Sequence, residues 1–95
     1  MKKVLGDRVV IQFTNIYEVE ENFDMETKKM KKEEVYKDFS KEGKVLQVGE
    51  GEFANKIKKG DVVYAMPFGG VELEKESSKK YRVVCVPASD VYYVA

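Results

Sequence analysis

The strongest constraint on the fold is a rhythm of short β-branched and aromatic runs, each closed by glycine or proline and broken once by a long charged insert. The runs are Val4 to Phe13, Lys44 to Val48, Val62 to Met66, Val71 to Glu74, Tyr81 to Val86 and Val91 to Val94. In the first, Val9, Ile11 and Phe13 share one parity and Val10 takes the other, which predicts a strand buried on much of both faces. Gly49 and Gly51, Lys59-Gly60-Asp61, Pro67-Phe68-Gly69-Gly70 and Pro87-Ala88-Ser89-Asp90 supply the turns. Glycine gives backbone freedom there, and proline denies a ladder donor. Short strands with turn signals every 8 to 12 residues or so predict an all-β fold, a small barrel or sandwich, as one domain over residues 1–95.

The insert, about residues 17–42, carries nine acidic residues and six lysines. Its apolar residues are scattered: Val19, Phe23, Met25, Met30, Val35, Tyr36 and Phe39. Such a stretch cannot form a core of its own, and connections this long in compact domains are binding loops or disordered segments. Two readings follow. One is a solvated linker or a charged helix from about Thr27 to Phe39, in which Val35 and Phe39 share a face. The other is a mobile loop that orders on meeting a partner and offers its few apolar side chains to a groove.

Composition excludes several functions. At 95 residues, with 43% hydrophobic and 36% charged side chains, a lone domain is marginal, burying only about 60 to 70% of its unfolded surface, and oligomerisation compensates. Lysine plus arginine equals aspartate plus glutamate at 17 each, so no basic field collects nucleic acid or anionic lipid. Only two arginines, Arg8 and Arg82, accompany the aromatic residues, which argues against a nucleic-acid platform. The single cysteine, Cys85, has no histidine in the chain to activate it and is expected to pack in the core. No catalytic set, cofactor motif or metal-ligand spacing is present: Gly49-Glu50-Gly51 is no P-loop, and Glu18, Glu20, Glu21 and Asp24 lack a loop glycine. With no apolar leader or run of about 18 apolar residues, a cytoplasmic protein is expected.

Five segments in order resemble the chaperonin-10 (GroES-type) co-chaperonin family. They are Leu5-Gly6-Asp7-Arg8-Val9, Gly43-Lys44-Val45-Leu46-Gln47-Val48-Gly49-Glu50-Gly51, Lys58-Lys59-Gly60-Asp61-Val62-Val63, Phe68-Gly69-Gly70, and Tyr81 to Val86 followed by Ser89-Asp90 and Val91 to Val94. The likeness covers most of the chain outside the insert. Val4 stands where the family has proline, and residues of about 50–59 replace a longer roof hairpin. The family's apolar docking tripeptide, by spacing, falls on Met30-Lys31-Lys32, where only Met30 is apolar.

The resemblance implies a small GroES-like β-barrel with a mobile loop at about 17–42 and a shortened roof. It implies a homo-oligomeric ring, heptameric in the family, in which the terminal strand of one subunit pairs with the first strand of the next. Val4, Leu5, Tyr92 and Val94 are then the subunit contacts. It further implies a non-enzymatic lid, without cofactor, metal, nucleic-acid or membrane partner, that closes the folding chamber of a nucleotide-bound ring chaperonin. Phe23, Met25, Met30, Val35, Tyr36 and Phe39 are the candidate chaperonin-binding residues. A small β-barrel binding module for protein or nucleic acid, with no chaperonin partner, is the alternative.

Overall fold

The computed structural model describes residues 3–65 and 70–95. Six strands form one antiparallel sheet: β1 (Arg8–Asp24), β2 (Lys29–Val48), β3 (Val62–Ala65), β4 (Val71–Glu72), β5 (Tyr81–Pro87) and β6 (Val91–Val94), in the order β4-β5-β1-β2-β3-β6. The fold is all-β, as expected. The sheet is open, because among the described residues no ladder joins β4 to β6. Met66 and the turn expected at Pro67-Phe68-Gly69 lie outside the described residues.

The alternation of β1 explains its central place. Val9, Ile11 and Phe13 are fully buried and meet Val45, Val63, Val84 and Val86 in the main core. Val10 and Val83 are buried against the opposite face, where Cys85 is half-buried beside Leu46. The thiol therefore packs on the second face rather than in the main core.

Instead of a roof hairpin, residues 50–59 hold a 3-10 turn, Ala54–Lys56, whose Ala54 plugs the core together with Ile57. Asp7 fixes that turn, since its Oδ1 accepts the Ala54 N–H at 2.7 Å. The Gly49 N–H donates to the Arg8 carbonyl at 2.8 Å and the Glu50 N–H to the Gly6 carbonyl at 2.9 Å. A side chain at Gly49 would run into the Gly6 carbonyl, so glycine is needed for this close approach.

The largest departure from expectation is the insert. It is neither loop nor helix: β1 and β2 continue through it as a paired ribbon, from Asn15 opposite Phe39 to Asp24 opposite Lys29. The turn at its tip uses Lys28 in the left-handed region, φ 54°, and Asp24 Oδ1, which accepts the Glu26 N–H at 2.9 Å. Beyond Tyr17 the ribbon projects about 25 Å at the rise of a β-strand. The molecule is accordingly 59 × 26 × 20 Å, with a radius of gyration of 17.1 Å against about 12 Å for a compact chain of this length.

Candidate interaction surface

Parity divides the ribbon into two unlike faces. On the first, Tyr17 lies opposite Tyr36, Val19 opposite Glu34, Glu21 opposite Lys32 and Phe23 opposite Met30. On the second, Glu18 lies opposite Val35, Glu20 opposite Glu33, Asn22 opposite Lys31 and Asp24 opposite Lys29. The first face exposes most of the apolar side chains, interrupted by Glu34 and by the pair of Glu21 and Lys32: Val19 is 62%, Phe23 55% and Met30 57% exposed, and Met25 at the turn is 78% exposed. The second is charged. There Lys37, the extra residue of a bulge, reaches Glu20 at 2.9 Å and Glu18 at 3.8 Å, relieving the like charges on that face. Hydrogen bonding and the charge of Glu20 hold the Lys37 ammonium above its usual pKa.

Among the described residues the ribbon is braced only at its base. The loop before β5 supplies the Lys79 carbonyl, which accepts from the Tyr17 hydroxyl at 2.7 Å and from Asn15 Nδ2 at 3.1 Å. Lys79 Nζ meets Glu34 Oε2 at 2.9 Å, and that contact raises the lysine pKa. Arg82 lies over the rings of Phe39 and Tyr36, at 4.8 and 5.5 Å. Register irregularities at Phe13/Asn15 and Ile16/Tyr17 precede the free portion, and bulges of this kind bend and re-aim a strand.

Six candidate docking residues therefore part company. Phe23, Met30 and Tyr36 share the apolar face, and Met25 crowns the tip. Val35 sits half-buried on the charged face. Phe39 is 8% exposed, packed on Phe13 with ring centroids 5.7 Å apart, and belongs to the core. Helical spacing had linked Val35 to Phe39, but a strand with a bulge at Lys37 obeys a different period. Val19 was not among the expected docking residues, although its alternation with Tyr17 and Phe23 was the available signal.

The terminal segments form a second surface. β6 pairs with β3, Val63 opposite Val94 and Tyr64 opposite Tyr93, so the carboxy-terminal run does dock on its own sheet. Its other edge is unpaired among the described residues, and Tyr92, Tyr93 and Val94 are 60%, 59% and 43% exposed. Tyr64 packs against both tyrosines and donates its hydroxyl to Glu42 at 3.0 Å. Leu5 is 68% exposed, whereas Val4 is half-buried; both precede β1 rather than belonging to it. Val4 and Leu5 instead border a cavity of about 390 Å³ over Val10, Val83 and Cys85.

Fold and surfaces together define a class: an open, single-sheet β protein with a projecting ribbon, apolar on one face, and an exposed edge strand at its end. No protein-family profile matches the chain, and no curated protein is similar enough to count as a relative. Among the described residues no cluster of side chains is arranged to hold a metal ion, and no helix is long and apolar enough to cross a membrane.

Proposed function

We propose that this chain is a co-chaperonin subunit that docks its β1–β2 ribbon on a nucleotide-bound ring chaperonin and, as a ring of copies, closes the folding chamber. One observation carries the reading: the exposed apolar side chains of Val19, Phe23 and Met30 are held clear of the body on a ribbon braced at its base. A monomer gains nothing by exposing such residues, whereas a partner's groove buries them. The five sequence segments that resemble chaperonin-10 proteins supply the partner class.

The edge of β6, unpaired among the described residues, and the exposed Leu5, Tyr92 and Val94 support ring formation. Heterologous pairing around a closed ring removes the open edges. Ribbons fixed on one ring bind with effective concentrations that turn weak single contacts into firm capture. A partly pre-ordered ribbon lowers the ordering cost of each contact relative to a disordered loop. The lid itself performs no chemistry and works in the cytoplasm, the compartment of its chaperonin.

A pull-down of the chain on purified ring chaperonin, with and without ATP, tests the reading. Retention only with nucleotide is expected. Absence of retention in both conditions contradicts it and favours the second reading, a protein-binding module that uses the exposed Tyr92 and Tyr93, packed on the half-buried Tyr64, without a chaperonin.

A further inference from the structure

The ribbon is divided lengthwise as well as by face. Its outer part, residues 23–32, holds four lysines against Asp24 and Glu26, a net charge of +2. Its middle part, residues 18–22 and 33–36, holds Glu18, Glu20, Glu21, Glu33 and Glu34 and no lysine, a net charge of −5. The whole chain is neutral, so this polarity is a local arrangement rather than a reflection of composition.

Ion pairing reduces the polarity without abolishing it: Lys37 reaches Glu20 and Glu18, and Lys79 reaches Glu34, which offsets part of the negative charge of the middle. Lys31 reaches the half-buried Asp24 at 3.3 Å, and Lys32 reaches the exposed Glu21 at 3.9 Å. Lys28 and Lys29 are exposed, with no acidic partner among the described residues. The two lysines and the middle of the ribbon are separated by about four strand residues, roughly 13 Å, which exceeds the Debye length of about 8 Å at physiological salt. A partner therefore meets Lys28 and Lys29 as a field separate from the glutamates behind them.

We infer that the ribbon tip fits an apolar groove with an acidic rim on the chaperonin, Phe23, Met25 and Met30 filling the groove while Lys28 and Lys29 face its carboxylates. This rests on the co-chaperonin reading and gives its docking site a chemistry. An anionic membrane would attract the tip but repel the acidic middle behind it, and it offers no reason for the exposed Val19 farther back on the same face. A protein groove can be acidic where the tip rests and neutral or basic at its mouth. Charges so placed steer encounter more than they hold the complex.

The test measures association and dissociation rates on purified ring chaperonin with saturating nucleotide, at low and at high salt. It compares the wild type, the Lys28→Glu/Lys29→Glu double variant and the Phe23→Ser/Met30→Ser double variant, each first shown by circular dichroism to keep its sheet. The charge reversal is expected to slow association about tenfold at low salt, with the difference collapsing at high salt. The apolar variant is expected to speed dissociation at both. Unchanged association of the charge-reversed protein, alongside lost binding of the apolar variant, overturns the acidic rim and leaves the co-chaperonin reading standing. A wild type that fails to bind overturns both. Capture by phosphatidylserine vesicles as strong as that by chaperonin, and lost on charge reversal, assigns the tip to membranes and overturns the inference.

Discussion

Asp7 and Ala54 are 47 positions apart, and the Asp7 carboxylate accepts the Ala54 backbone N–H at 2.7 Å. That bond, with a longer one from the Phe53 N–H to the other carboxylate oxygen at 3.5 Å, ties the start of β1 to the turn that plugs the core. Backbone bonds join the same segment to residues 49 and 50: the Gly49 N–H donates to Arg8 and the Glu50 N–H to Gly6. Asp7→Ala leaves the Ala54 donor without its acceptor. A loss of about 1 to 2 kcal/mol is expected, read as a lower urea midpoint with an unchanged m-value.

Phe39 and Val35 separate core from surface on one strand. Phe39→Ala removes a ring packed on Phe13 and is expected to cost about 3 to 5 kcal/mol. Val35→Ser on the charged face should change stability by less than about 0.5 kcal/mol. Thermal melts of the two variants check the contrast, and equal losses would place Val35 in the core as well.

A two-stranded ribbon is marginal by itself in water. Beyond the brace at Tyr17, Glu34 and Lys79, its amides are expected to exchange with solvent far faster than those of Val9, Ile11 and Val84 in the core. Tyr17→Phe and Lys79→Ala should extend the fast-exchanging region toward the bulges without altering core protection. Hydrogen exchange followed residue by residue by NMR decides this.

The ribbon's exposed pairs set a weak pH dependence. Asp24 has its pKa lowered, first by the Glu26 N–H and then by Lys31. Its contribution is complete above the usual 3.8 and is lost as pH falls through the lower folded value. Lys79 and Lys37 have theirs raised by Glu34 and Glu20. Those contributions are complete below the usual 10.5 and fade as pH rises through the higher folded values. Ribbon protection should thus be flat between the two limits and fall outside them, with little change in the core.

Much of the body was legible in the sequence, and the insert was not. The parity of Val9, Ile11 and Phe13 against Val10 located the central strand and both of its buried faces; β3, β4 and β6 fall within predicted apolar runs, β5 passes its run only by Pro87, and β2 contains the Lys44 to Val48 run but begins far before it. The ribbon was hidden because its charges dominate its composition, while the period of two in Tyr17, Val19 and Phe23 is interrupted by Glu21. Its tip also lacks the Asn-Gly or Asp-Gly pair that announces a short hairpin, using Lys28 in the left-handed region instead. Among the few apolar side chains of the insert, Phe39 reads in sequence as a docking candidate. Tertiary packing on Phe13, with Arg82 across the ring, decides otherwise.

Edge pairing through β6 predicts an oligomer that depends on Tyr92 and Val94. Tyr92→Asp and Val94→Asp leave the half-buried Val91 against the core and should lower the native mass from a ring to smaller species. Retention of the full ring by the double variant would move the subunit contact elsewhere.

Hydrogen exchange of the chain, alone and with nucleotide-loaded ring chaperonin, tests docking by the ribbon most directly. Protection is expected to rise over residues 19–32, with the gain centred on Phe23 and Met30, while the core stays unchanged. Protection that instead appears on the Tyr64, Tyr92 and Tyr93 surface, with the ribbon still exchanging freely, would contradict docking by the ribbon.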